Sequence, residues 1–188
     1  QIMRTSRQHE LRSLLSPGAA GFVRFLYGAP FALALAAIWF GLLPHDVPDV
    51  PGRFWPLVTV AGVTQIIATV ALLRSFRERD FAIGTVYSKS EVLAVAIAGA
   101  VGLGEPLRLP GWFGALLVMV GVALLAARGS IGSLVRRAGD TAALMGLVAG
   151  AFFALAAVFI RAASKSMGDA PSFGRALVTL AVMLTIQT

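Results

Sequence analysis

Residues 81–104, FAIGTVYSKSEVLAVAIAGAVGLG, are long and apolar enough to cross a bilayer, yet they carry Lys89 and Glu91 near the middle. A charge at the centre of a spanning helix costs about 2.5–3.5 kcal/mol on insertion scales, so each of these two needs a partner, water or a task. The stretch therefore points to an all-helical protein embedded in a membrane. It also makes Lys89 and Glu91 the first places to look for function.

The composition of the rest agrees. Of 188 residues, 57% are hydrophobic and 13% charged, with twenty glycines and no cysteine, which is too apolar for a soluble domain of this size. Without cysteine there are no disulfides and no thiolate metal or redox sites. The histidines, His9 and His45, lie in polar loop-like stretches, so neither a metal nor another cofactor is expected. A net charge of +7 would suggest a nucleic-acid partner in a soluble protein, but here the basic residues gather in short loops between apolar runs. Membrane topology explains them, and no nucleic-acid partner is expected. Gln1 is not an initiator residue and no secretory signal precedes the spans, so the chain is expected to be a fragment of a longer protein.

Outward from the central stretch, the spans follow from apolar runs and their breakers. Residues 1–18 are polar and basic, and Pro17-Gly18 marks entry to a span over about 19–43 that contains Arg24 and Pro30. Pro44, Pro48 and Pro51 forbid a continuing helix through the loop that ends at Arg53, and the next span covers 54–73 with Gln65 near its middle. Five charges among residues 74–80 make an exposed turn before the helix expected at 81–104. A turn at 105–110 leads to a span at 111–127, and 128–140 reads as a linker. Residues 141–160 span again, with Gly146 and Gly150 spaced for close helix packing, and a last apolar run starts near Phe173. That run ends after about sixteen residues, short of the ~20 a span needs, so the chain is expected to stop inside a helix.

If each span crosses once, residues 1–18, 74–80 and 128–140 share one side and hold nine of the sixteen basic residues. The other side holds five, and the positive-inside rule makes the first side cytoplasmic. A weak internal repeat accompanies this pattern: residues 160–165, IRAASK, resemble residues 2–7, IMRTSR, and each is followed by a proline-containing loop and a span. Such a repeat implies a unit of five helices, and an odd number inverts the second unit relative to the first.

The succession over residues 71–125 resembles the third to fifth helices of an EamA-type member of the drug/metabolite transporter superfamily. The resemblance rests on Gly104-Glu105-Pro106-Leu107 closing one helix, then Gly111-Trp112, Gly114 and the run Gly121-Val122-Ala123-Leu124-Leu125. It implies a ten-helix carrier of the bacterial inner (plasma) membrane, built from two inverted five-helix halves. On that mapping, residues 1–127 are the first repeat without its first helix, 128–140 the linker, and 141–188 the start of the second repeat. The family's fourth helix is usually apolar where this chain has Ser88, Lys89, Ser90 and Glu91, so no family role is carried onto them. The basic residues 1–18 also read as inside, where many members place that loop outside.

Depth selects the candidate site. At 1.5 Å per residue, Arg24 lies ~8 Å, Lys89 ~12 Å, Gln65 ~14 Å and Glu91 ~15 Å from the cytoplasmic ends of their helices, close enough in level to share a polar cavity. On one regular helix Lys89 and Glu91 would be about 200° apart and would not pair directly. Tyr87 and Ser88 can offer hydroxyls to Glu91. Lys89 either snorkels to the surface or lines the cavity. Glu91 is too short and deep to snorkel, which leaves a proton-carrying role or a structural pair with a basic group such as Arg24. A carboxyl group removed from water binds a proton more readily, as proton exchange requires. Gln65 reads as an interhelical hydrogen bond or a cavity group, and Arg24 as a snorkelling residue or a cavity group.

The expected protein is a secondary transporter, not an enzyme, moving a small metabolite or drug-like solute by alternating access with proton coupling. Its partners are the solute, protons and the lipid bilayer, and a homodimer is left open. Its pathway residues are Glu91, Lys89, Tyr87, Gln65 and Arg24. The alternatives are an intramembrane enzyme acting on a lipid or peptide, or a scaffold that transports nothing. The enzyme would use Ser88-Lys89, but adjacent helical residues point about 100° apart, and no intramembrane histidine or paired aspartate supports hydrolysis. A scaffold gives no reason to keep deep charges.

Overall fold

The computed structural model describes residues 17–76, 81–104, 108–127, 132 and 139–188. The Glu105-Pro106-Leu107 part of the sequence motif and most of the basic loops lie outside the described residues. Within them the secondary structure is helix and turn: α1 Pro17–Ala37, α2 Phe54–Ser75, α3 Phe81–Ser88, α4 Glu91–Leu103, α5 Leu109–Ala127, α6 Thr141–Ser166 and α7 Ser172–Ile186. Among the described residues, Phe25–Leu42, Phe54–Ser75, Thr85–Leu103 and Thr141–Ser166 are long and apolar enough to cross a membrane.

Among the described residues the buried apolar positions are mostly alanine, with Phe25, Phe54, Val58, Met167, Leu177 and Met183 as larger members, and many large side chains are outside. Ala61, Ala68, Ala71, Ala96, Ala115, Ala143, Ala149, Ala154 and Ala163 are buried, whereas Phe31, Val101, Leu109, Phe113 and Leu117 are largely exposed. In water this arrangement would forfeit the hydrophobic effect. In lipid it is the stable one, because hydrocarbon already solvates the large side chains and close backbone packing supplies the attraction between helices.

The chain packs as two units, one comprising the segment up to Val63 with Ile160–Thr188, the other Thr64–Phe159. In the first, α1 packs against α7, with Gly28 meeting the Leu184 side chain. α1 ends in a widened π turn over Ile38–Leu42, where Leu43 N donates to Ile38 O at 3.2 Å. That turn presents Trp39, stacked on His45 with ring centroids 3.9 Å apart and tilted against Phe173 at 4.5 Å. Phe40 and Pro48 close over Gly174, each 3.6 Å from where a Cβ would stand.

The helix expected at 141–160 continues to Ser166, so Arg161 and Lys165 lie on its last turns and not in a loop. Ala162 and Ala163 propagate the helix well, and the stop comes at Gly168, whose left-handed φ of 70° suits a residue without a Cβ. The helix expected from 111 already starts at Leu109, with Pro110 in its first turn, where a missing amide removes no helical bond.

In the second unit, α5 packs against both α3 and α4. α4 ends on Gly104, whose φ is 64° and whose amide reaches back to Gly99 O. α4 also meets α6, Gly102 lying opposite Val158.

Candidate functional site

The stretch read as one helix over 81–104 is two. α3 stops at Ser88, α4 starts at Glu91, and Lys89 and Ser90 form a turn between them. Serine side chains bond to the backbone at the break. Ser88 Oγ donates to Thr85 O at 2.9 Å and Ser90 Oγ donates to Tyr87 O at 2.7 Å. In a regular helix these carbonyls would serve the amides of Lys89 and Glu91. With hydroxyls bound to them, the backbone tightens: Lys89 N donates to Val86 O at 3.0 Å, Ser90 N to Tyr87 O at 3.2 Å and Val92 N to Lys89 O at 3.2 Å. Each of these bonds steps back three residues. The four-residue step returns with Ala94 N donating to Ser90 O at 3.0 Å.

Serine hydroxyls that bond back to the preceding turn compete with the helix in this way, and a tightened stretch inside a helix marks a hinge or a strained sequence. Ser90 keeps right-handed helical angles, φ −56° and ψ −19°, so the interruption is a tight turn and not an extended loop. The separation of about 200° between Lys89 and Glu91 assumed an unbroken helix and does not apply to the turn.

A second contact holds this place. α6 passes the turn at the buried Gly150, where an added Cβ would stand 2.8 Å from Ser90 Oγ, 2.9 Å from Ser88 O and 3.1 Å from Glu91 N. Real side chains do not approach so closely, and glycine lets two backbones touch.

The five candidate residues separate on this frame. Tyr87, Lys89 and Glu91 all flank or form the interruption, with Tyr87 and Glu91 half-buried and Lys89 exposed. Glu91 opens α4 as the acidic residue of its first turn. Gln65 is half-buried on α2, its backbone carbonyl accepting from Thr69 Oγ1 at 2.8 Å. Arg24 belongs to α1 in the other unit, and its side chain lies outside the described residues. Sequence reasoning marked Gly150 for close helix packing, which the structure shows, but it missed Ser90 and the partner that Gly150 meets. The signals were the Ser-Lys-Ser triplet inside an apolar run and the spacing of Gly146 and Gly150, but neither tells that the two meet.

The chemistry available is that of a carboxyl group beside helix-end amides and a lysine. Among the described residues, no group of three or more histidine, aspartate or glutamate side chains could hold a metal ion. Ser88 and Ser90 direct their hydroxyl protons at peptide carbonyls, whereas a serine nucleophile needs a base to take that proton.

Comparison with known proteins points to a membrane transporter family. An uncharacterized transporter in the cobO 3' region of Sinorhizobium sp is 32% identical over 78 residues, which are 42% of this chain. The matched region spans 55% of that relative. No solved structure matches the chain significantly. The family and the relative's name point to transport, and the apolar helices make this a multi-pass membrane protein. Residues 8–127 match the family model described as the EamA-like transporter family, and the chain belongs to that family.

Proposed function

We propose that this chain is part of a proton-coupled secondary carrier that moves a small metabolite or drug-like solute across the bacterial inner membrane by alternating access. The observation that carries the reading is the interruption of a membrane-spanning helix at Ser88–Glu91, which sets an ionisable carboxyl group at the start of a half-helix inside the span. A deep carboxyl group is expensive to keep in a membrane unless it has work to do. Broken helices with charged or polar groups at the break are how many secondary transporters build binding sites near the midplane. Glu91 is the proton-carrying group in this scheme, Lys89 and Tyr87 flank it, and Gln65 is a further polar candidate in the same unit. The carrier has two inverted five-helix repeats, with residues 1–127 in the first, 128–140 as the linker and 141–188 opening the second.

The test is transport by the full-length protein in proteoliposomes. Glu91→Gln keeps the shape of the side chain but cannot ionise, so gradient-driven flux is expected to vanish while the protein stays folded. Flux at the wild-type level in that variant would remove Glu91 from the mechanism.

A further inference from the structure

The hydrogen bonds of the Ser88–Glu91 turn define its shape but not its place. Rotating the two serine hydroxyls away and shifting Tyr87 O from the amide of Ser90 to that of Glu91 would restore the regular four-residue bonds and straighten the helix. The atoms that such a change would move are Ser90 Oγ, Ser88 O and Glu91 N. These are the three atoms within 3.1 Å of a Cβ built on Gly150.

Other described glycines of α4 and α5 come nowhere near so close to a neighbour. Gly99 on α4 and Gly114 and Gly121 on α5 have nothing within 4 Å of an added Cβ, and Gly102 meets Val158 of α6 only at an ordinary 3.9 Å. α4 and α6 are therefore in backbone contact at the turn and in looser side-chain contact at the far end of α4. Two of the three close atoms belong to backbone, so a methyl group at residue 150 could not be accommodated by a rotating side chain alone.

We propose that Gly150 is the positioning residue of the interrupted helix: its lack of a side chain lets α6 seat the Ser88–Glu91 turn and so sets where Glu91 begins α4. For the transport arm of its test, this rests on the proposed role of Glu91.

The chain has no cysteine, so a single introduced thiol reports its own surroundings. In the full-length protein in membrane vesicles, Glu91→Cys is labelled with a charged, membrane-impermeant thiol reagent, with Asp46→Cys in the loop before α2 as reference. Adding Gly150→Ala is expected to change the labelling rate at residue 91 by about fivefold or more, the lower end of the effect of overpacking a close contact. Labelling at residue 46 is expected to stay unchanged. Gly99→Ala, on α4 but facing open space, is expected to leave both rates alone. With Glu91 intact, Gly150→Ala is expected to shift the pH profile of transport, and Gly99→Ala is not.

Should Gly150→Ala not fold, adding Ser90→Gly removes the atom nearest the new methyl group, and recovery of folded protein with altered labelling at residue 91 supports the proposal. Unchanged labelling at residue 91, or a double variant that still does not fold, overturns it. Normal flux in Glu91→Gln would sink the transport reading alone, because the labelling experiment needs no transport.

Discussion

The guanidinium of Arg53 donates to the carbonyl oxygen of Ser166 at 3.2 Å, tying the residue before α2 to the last residue of α6. The end of α6 holds carbonyls without helical partners and carries partial negative charge, and Arg175 donates to Gly168 O in the turn just past it. Arg53 is itself exposed, so water competes for the bond and its net contribution is small. Arg53→Ala is expected to cost about 0.5–1 kcal/mol, read as a lower thermal unfolding midpoint in detergent. An unchanged midpoint would mean that the bond adds nothing to stability.

Gly104 and Gly168 adopt left-handed backbone angles, with φ of 64° and 70°. Alanine at either position is expected to destabilise by about 1 kcal/mol, since its Cβ crowds the following carbonyl in that conformation. Gly99 is helical and faces open space, so Gly99→Ala is expected to leave stability unchanged or raise it by up to about 1 kcal/mol. Unfolding of the three variants side by side separates conformational cost from packing cost. Equal midpoints would contradict both assignments.

Replacing Ser88 and Ser90 together by alanine releases Thr85 O and Tyr87 O. With those acceptors free, part of the population is expected to recover four-residue bonds across residues 88–92. Hydrogen exchange of peptides covering that segment then slows relative to wild type, while exchange in α5 does not change. Faster exchange at 88–92 would show that the hydroxyl bonds hold the segment together and do not interrupt it.

Lys89 is exposed beside a turn whose neighbour Glu91 is half-buried. An exposed ammonium can meet a solute or the membrane surface but holds no packed element in place. Lys89→Met is therefore expected to change stability by less than about 0.5 kcal/mol and to raise KM for transport with kcat nearly constant. Measured together with Glu91→Gln, it distinguishes the two charges. Loss of kcat in Lys89→Met, matching that of Glu91→Gln, would show that they act as one unit.

Much of this architecture is legible in the one-dimensional chain. Runs of apolar residues bounded by prolines and charges place helices near 54–73, 111–127 and 141–160, within a few residues of those observed except at the end of α6, because a spanning helix must bond its own backbone in a solvent that offers no partners. The Gly104-Glu105-Pro106-Leu107 signature and the glycine-spaced run after it point to the family by themselves. Lys89 and Glu91 stand out by composition alone, since charge inside an apolar run is costly wherever the fold puts it.

Tertiary structure decided what those charges sit on. Whether the backbone here keeps four-residue bonds or tightens to three-residue bonds with serine hydroxyls on Thr85 O and Tyr87 O is a choice between bonds of similar strength, and local sequence leaves both open. The extension of α6 to Ser166 turns likewise on a backbone angle at Gly168 that residue type permits but does not require. The contact between Gly150 and Ser90 joins residues sixty positions apart, and no local pattern encodes it. Hydrophobic patterning acts over a few residues and so appears in the sequence, whereas the close approach of two backbones depends on atoms that only the folded chain brings together.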